Sequence, residues 1–246
     1  MSGRNYGWKP DIPDVRDHLF VAQRAFSDLP MAVDLRQFCS PVEDQGSLGS
    51  CTGNAIAGAL EYLDRKAGHP IDVSRLYIYY QERKIEGTLK QDAGAMIRDG
   101  IKACAAVGVP MESLWPYIVA KFSSKPPKAA DTDAAQHKIT AYRRVTSLDD
   151  VLHCLADGNP VVFGFSVYES FESVVVEKTG IVPMPSKTER LLGGHAVLAV
   201  GYDQATQRLI VRNSWGSSWG QGGYFTLPYG YVTNRNLSDD FWVVTK

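Results

Sequence analysis

One of the four cysteines, Cys51, occupies a position where a thiol could act as a nucleophile. A glycine- and serine-rich stretch, residues 46–50, precedes it, and apolar residues then recur at helical spacing as far as Lys66. This pattern predicts that Cys51 lies in the first turn of a helix, where unpaired N–H groups and the helix dipole favour a thiolate. Because a single cysteine is most often a small buried hydrophobic residue, a catalytic role requires partners elsewhere in the chain.

A histidine and an asparagine later in the chain could supply those partners. Residues 196–202 and 208–212 have the pattern of strands, and the turn-rich residues between them predict an antiparallel hairpin. Because His195 and Asn213 are equally far from residue 204 in this turn, we expect them to lie opposite each other. Their side chains would then form a hydrogen bond.

Together these residue types make up an activated nucleophile. His195 could take the proton of Cys51 and later protonate the leaving group, while Asn213 holds the imidazole ring in place. Gln45 and the backbone N–H of Cys51 could donate to the oxyanion that forms during acyl transfer. Each of these residues alone is more often structural, and the combination favours catalysis.

The elements that must position these residues fall into two halves of the chain. Helical patterns begin near residues 50, 74 and 95, and residues 121–130 are predicted to form a solvated loop. After a short helix capped by Ser147, the sequence predicts four apolar strands, at 161–167, 196–200, 209–211 and 241–244. This order predicts an α+β protein with a cleft where the two halves meet.

The composition argues against several other classes of protein. The 246 residues carry 26 basic and 27 acidic side chains, so bulk charge would not recruit nucleic acid or an anionic membrane. The apolar runs are too short to span a membrane, and the N-terminal region lacks the apolar core of a secretory signal. We therefore expect a cytoplasmic protein or one exported by a signal-independent route. The cysteine spacing predicts free thiols and no zinc site, and no cofactor is implied.

Four motifs occur in an order that resembles the papain family of cysteine peptidases. The resemblance covers about residues 30–230, and its motifs are Gln45-Gly46 with Gly49-Ser50-Cys51, Gly194-His195-Ala196-Val197, Asn213-Ser214-Trp215-Gly216 and Trp219-Gly220 with Gly223-Tyr224. It implies a cysteine endopeptidase that hydrolyses peptide bonds through a thioester, with Cys51, His195, Asn213 and Gln45 as its catalytic residues.

The resemblance also implies a fold and a set of substrate contacts. A helical subdomain at residues 30–135 would carry the nucleophile, and an antiparallel β-barrel subdomain at residues 136–246 would carry the histidine and asparagine. Trp215 would shield the His–Asn hydrogen bond from water, and Trp219 would form a wall of the leaving-group subsite. Contacts with the substrate are also expected at Gly94, which matches one residue of a family Gly-Gly pair, and at Gly194.

Two residues beside the nucleophile depart from the family signature. Leu48 replaces a cysteine that family members place in a disulfide, so that bridge cannot form here. Thr52 replaces a tryptophan that packs beside the nucleophile. With the short N-terminal region, these departures resemble a compact bacterial branch of the family. We expect Cys51 to react first with thiol reagents, at a rate that rises at acidic pH.

Residues 1–29 occupy the position of a pro-region but are too short and too proline-broken to form a helical domain. Trp8, Phe20 and Phe26 provide apolar anchors, so we expect this region to dock on the protein, reach toward the cleft and limit substrate entry. Two other functions remain possible for the same residues. One is an acyltransferase of the transpeptidase or transglutaminase type, and the other is a catalytically silent binding module.

Overall fold

The structure is a computed structural model that describes residues 5–22 and 29–246. Its helices are α1 Cys51–Lys66, α2 Arg75–Ile85, α3 Ile97–Ala106, α4 Lys128–Ala134, α5 Leu148–Ala156, α6 Val174–Thr179 and α7 Tyr229–Val232. Its strands are β1 Ala32–Asp34, β2 Ala141–Val145, β3 Val161–Tyr168, β4 Leu191–Asp203, β5 Arg208–Arg212, β6 Tyr224–Pro228 and β7 Ser238–Thr245. Helices dominate the first half and strands the second, as the sequence predicts.

The helical half is built around α1. The side chains of this helix are buried from Cys51 to Tyr62, because α2, α3 and β4 pack on its different faces. Small residues make this packing possible: a Cβ atom added at Gly53 would lie 2.8 Å from the backbone oxygen of Arg75. Helix α2 begins where expected, with the Ser74 hydroxyl accepting a hydrogen bond from the backbone N–H of Tyr77.

The second half is an antiparallel sheet in the order β2-β7-β3-β4-β5-β6, with β1 pairing to β4. The α+β fold class is confirmed. The sheet is a barrel only in a loose sense, since β2 and β6 form its ends and do not pair with each other in the described part of the chain. The prediction of a loop over residues 121–130 is wrong at the C-terminal end of that range. Helix α4 begins at Lys128, directly after Pro127, because proline sets a backbone angle that suits a helix start.

The hairpin of β4 and β5 has a different register from the predicted one. Asp203 pairs with Arg208, so residues 204–207 form the turn, and a register shift near residue 200 follows. Because Leu198 pairs with Arg212, Asn213 is level with residue 197 rather than with His195. The two residues are therefore diagonal neighbours across the hairpin.

Residues 5–22, called the N-terminal segment below, dock on the protein as expected. The backbone N–H of Trp8 donates to the Gly194 oxygen at 3.0 Å, and that of Phe20 donates to the Arg144 oxygen at 2.8 Å. Both aromatic side chains are half-buried against the core. The third predicted anchor, Phe26, lies outside the described residues.

The structure contains no helix, within the described residues, that is long and apolar enough to cross a membrane. All four cysteines fall in the described part of the chain and none is bonded to another: Cys39 is half-buried, and Cys51, Cys104 and Cys154 are buried.

Because no disulfide is needed to hold this fold, thiol titration in denaturant without reductant should detect four free groups. The same titration without denaturant should detect fewer, since three of the thiols are buried. Two free groups in denaturant would contradict the structure.

Candidate functional site

The thiol of Cys51 lies against β4 at the first residue of α1. The backbone N–H groups of Gly7, Ala196 and Thr52 lie close enough to its Sγ to favour the thiolate. Since Ala196 directly follows His195, this proximity places the start of α1 next to the histidine. The sequence places Cys51 and His195 far apart, and the packing of α1 on β4 brings them together.

The predicted hydrogen bond between His195 and Asn213 is present in spite of the altered register. His195 Nε2 lies 2.8 Å from Asn213 Oδ1, and the Ser214 backbone N–H also donates to Oδ1 at 2.8 Å. The Ser214 bond identifies that atom as the amide oxygen, so Nε2 must be the donor and carry a proton. In the neutral ring Nδ1 then holds the lone pair that can accept a proton.

The two predicted tryptophans are both buried, and Trp215 contacts the histidine. Trp215 stacks on the His195 ring at 5.0 Å between centroids and 25° between planes, and so keeps water from one face of the ring. Trp219 meets Trp215 edge-on at 5.2 Å and also packs against Phe171 and Phe225. Trp219 is buried, so ordinary core packing accounts for its contacts.

The side chain of Gln45 is fixed beside these residues. Its Oε1 accepts a hydrogen bond from the Ser214 hydroxyl at 2.6 Å, and its Nε2 donates to the Leu48 oxygen at 2.9 Å. The same Nε2 makes a longer contact, 3.5 Å, with the backbone oxygen of Asn5. A carbonyl of the N-terminal segment therefore lies against the predicted oxyanion donor. Ser214 belongs to the motif that follows Asn213, but sequence analysis gave it no role in the site.

The N-terminal segment runs through the cleft as an added strand. The Ala95 N–H donates to the Gly7 oxygen at 2.7 Å, and the Ala95 oxygen accepts from the Lys9 N–H at 3.0 Å, a parallel pairing. Sequence analysis predicted a substrate contact at Gly94, the residue before Ala95. A Cβ atom at Gly94 would lie 2.2 Å from the Gly7 oxygen, so Gly94 allows the approach while Ala95 makes the bonds.

Two aromatic residues of the N-terminal segment flank the nucleophile. The Trp8 ring fills a slot between Gly194 and Gly164, where a Cβ atom at Gly164 would lie 2.0 Å from the ring. On the other side, Tyr6 meets the His195 ring edge-on at 6.2 Å, and its hydroxyl donates to Glu172. Sequence analysis identified Trp8 as an anchor, but Tyr6 and Glu172 gave no signal.

The environment of Cys51 differs from the sequence expectation. Burial raises the pKa of the thiol to about 11, and the N–H groups of Ala196 and Gly7 oppose this rise. With the N-terminal segment in place, the thiol is fully buried and protonated near neutral pH. Burial under the N-terminal segment thus opposes the thiolate that the helix start alone favours, and the reactivity of Cys51 at acidic pH stays a prediction.

The departure at Thr52 is explained by a buried acid behind the nucleophile. Thr52 Oγ1 donates to Glu82 Oε2 at 2.7 Å, and burial raises the pKa of Glu82 to about 8. A Cβ atom at Gly100 would lie 2.2 Å from Glu82 Oε1, so α3 leaves room for the carboxyl group. A hydroxyl thus replaces the family's indole because this site must satisfy a carboxyl group.

Comparison with known proteins agrees with this geometry. The sequence profile described as "Papain family cysteine protease" matches residues 29–242. The chain belongs to the papain family of cysteine proteases. It is 42% identical to an uncharacterized peptidase C1-like protein of Acanthamoeba polyphaga mimivirus, over 98% of this chain and 86% of that protein.

Solved structures and other relatives give the same family. Xylellain, a cysteine protease from Xylella fastidiosa, superposes with a TM-score of 0.93 at 42% identity, over 100% of this chain and 97% of the other. Cathepsin K of Gallus gallus is 31% identical over 82% of this chain, which spans 59% of that protein's length.

The described residues contain no group of three or more histidine, cysteine or acidic side chains that could hold a metal.

Alkylation of the full chain should be slow at Cys51 and should accelerate as pH rises toward the pKa of this thiol, about 11. Substituting Gly7→Ala should increase the rate at Cys51, because the added Cβ would lie 1.8 Å from the Gly49 oxygen and displace the segment. Mass spectrometry after iodoacetamide treatment measures both rates, with Cys104 and Cys154 as internal controls. Fast labelling of Cys51 at acidic pH in the unmodified chain would refute the closed arrangement.

Proposed function

We propose that Cys51, His195, Asn213 and Gln45 carry out the peptide hydrolysis of this cysteine protease. The observation that carries the assignment is the hydrogen bond of His195 Nε2 with Asn213 Oδ1, because it fixes the tautomer in which Nδ1 is the base. We also propose the division into residues 1–29, 30–135 and 136–246, with the last two forming the sides of the cleft.

The reaction follows from the positions of these groups. With the N-terminal segment displaced, His195 Nδ1 takes the thiol proton of Cys51, and the thiolate attacks the substrate carbonyl carbon. Gln45 Nε2 and the Cys51 backbone N–H donate to the oxyanion. The imidazolium returns its proton to the leaving amine, and water then hydrolyses the thioester. Asn213 keeps the ring oriented through both steps.

A peptide substrate would use the backbone groups that the N-terminal segment now occupies. The Ala95 edge next to Gly94 and the Gly194 oxygen can accept an extended peptide by strand addition. Trp215 would border the leaving-group side. Trp219 would support Trp215 from behind, since the two rings pack edge-on.

The N-terminal segment would inhibit the enzyme in cis. It covers Sγ, places Asn5 against Gln45 and pairs with Ala95 on the edge that a substrate needs. The group that it presents to Sγ is the N–H of Gly7, which a thiolate cannot attack. The segment would therefore block the cleft without becoming a substrate at this position, and a tether makes modest contacts sufficient.

The other functions weighed from the sequence have less support. The peptidase relatives give no sign of an acyltransferase or of a silent binding module. Assignment to a compact bacterial branch is supported by the similarity to xylellain, although the relatives also include a viral and an animal protein.

Cys51→Ser should lower kcat/KM on a peptide substrate by at least about 1,000-fold, because the nucleophile acts as a unit with its base. Cys154→Ser is the matched control, since it replaces a buried thiol in α5, and it should keep activity. Circular dichroism should show both variants folded. Equal activity of the two variants would disprove the role of Cys51.

Trp8→Ala should raise kcat/KM by at least about tenfold, because loss of a half-buried indole weakens docking by roughly 1.5–3 kcal/mol. Val15→Ala is the control, since that side chain is fully exposed on the same segment, and it should leave kcat/KM unchanged. If Trp8→Ala lowers only the melting temperature, the segment is a structural strap and does not inhibit.

A further inference from the structure

The N-terminal segment and the body of the protein exchange two indole–carboxylate hydrogen bonds beside the cleft. Trp242 of β7 donates its Nε1–H to Asp11 Oδ2 of the segment at 2.9 Å. In return, Trp8 of the segment donates its Nε1–H to Asp240 Oδ2 of β7 at 3.0 Å. The Asp11 backbone N–H also donates to Asp240 Oδ2 at 2.7 Å, so both carboxyl groups lie at a single contact.

This contact is buried and its charges do not balance. Asp11 is 7% exposed and Asp240 is 1% exposed. Arg98 of α3 and Arg144 of β2 supply the positive charge. Four carboxyl groups face these two guanidinium groups, two from the segment and two from β7: Asp11, Asp17, Asp239 and Asp240.

The arginines are already shared among these acids. Arg144 pairs with Asp240 at 2.8 Å and with Asp239 at 3.1 Å. Arg98 pairs with Asp17 at 2.9 Å and gives Asp11 only its backbone N–H, at 3.1 Å. Docking of the segment therefore buries the Asp11 carboxyl group beside the carboxyl group of Asp240. Among the described ion pairs, the guanidinium group nearest to Asp11 is that of Arg144, at 3.8 Å.

A bound proton relieves this arrangement. Burial and the neighbouring charge of Asp240 raise the pKa of Asp11 to about 7, and burial also raises the pKa of Asp240. An aspartate in a displaced, solvated segment has an ordinary pKa near 3.8. The docked state consequently binds more protons than the displaced state over the range between these values.

We propose that Asp11 and Asp240 form a proton-operated latch, which holds the N-terminal segment in the cleft when Asp11 carries a proton and releases it when that proton is lost to solvent. This inference rests on the proposed inhibition by the segment and adds its regulation. Docking is strongest below pH 4 and weakens as pH rises through about 7, because the docked state is the one with the raised pKa. Rising pH would thus open the cleft.

Docking can be measured without catalysis by hydrogen exchange in the full-length Cys51→Ser protein. The amides of Trp8, Lys9 and Asp11, all hydrogen-bonded to the body, should lose at least about tenfold in protection between pH 5 and pH 8, relative to unstructured rates at each pH. Asp11→Asn removes the titrating group, although its NH2 cannot accept one of the two hydrogen bonds that Asp11 receives, so its protection should be equal at the two pH values. Asp14→Asn is the control, since Asp14 pairs with Arg16, and it should retain the pH dependence of the unsubstituted protein.

The outcomes separate this proposal from the inhibition itself. Protection that is constant or rises with pH would overturn the latch, as would an Asp11→Asn protein that keeps the pH dependence. In parallel, the ratio of kcat/KM between Trp8→Ala and the unsubstituted enzyme should fall with rising pH. pH-dependent protection together with a ratio of one throughout would support the latch and refute inhibition by the segment.

Discussion

The arrangement of the cleft depends on the close approach of backbone to backbone at the start of α1. Backbone N–H groups of β4 and of the N-terminal segment both lie close to Sγ of Cys51. Such contacts require that side chains be absent, and Gly7 and Gly49 meet where a Cβ atom would lie 1.8 Å from an oxygen. The nucleophile, the strand that carries the base and the blocking segment are thus held together by main-chain groups.

This dependence explains how much of the site the sequence could predict. Cys51 and His195 lie in regular elements whose apolar patterns are strong, so both elements were identified from the chain. The diagonal relation of His195 and Asn213 was not, because a register shift at residue 200 leaves no trace in a pattern of period two. The bond still forms, since an asparagine side chain reaches a diagonal neighbour.

Other parts of the site lay beyond the sequence for a different reason. Ala95 binds the segment through main-chain groups, which every residue possesses, so its identity carried no information. The pKa of Cys51 depends on burial by Gly7, a residue distant in the chain. The expected thiolate follows from the helix start alone and omits that cover. Local chemistry was therefore predictable, and the surroundings that modify it were not.

The slot that holds Trp8 carries an evolutionary consequence. Its walls are Gly164 and Gly194, and a methyl group at Gly164 would overlap the indole. Such a change would displace the segment without removing the thiol or its base, and would therefore first alter when the enzyme is active. Related proteins that lack a bulky residue at the position of Trp8 would be free to vary at Gly164, whereas a Cβ atom at Gly194 would still lie 2.6 Å from the backbone oxygen of residue 8. Lineages could thus diverge in the timing of proteolysis while their chemistry stays constant.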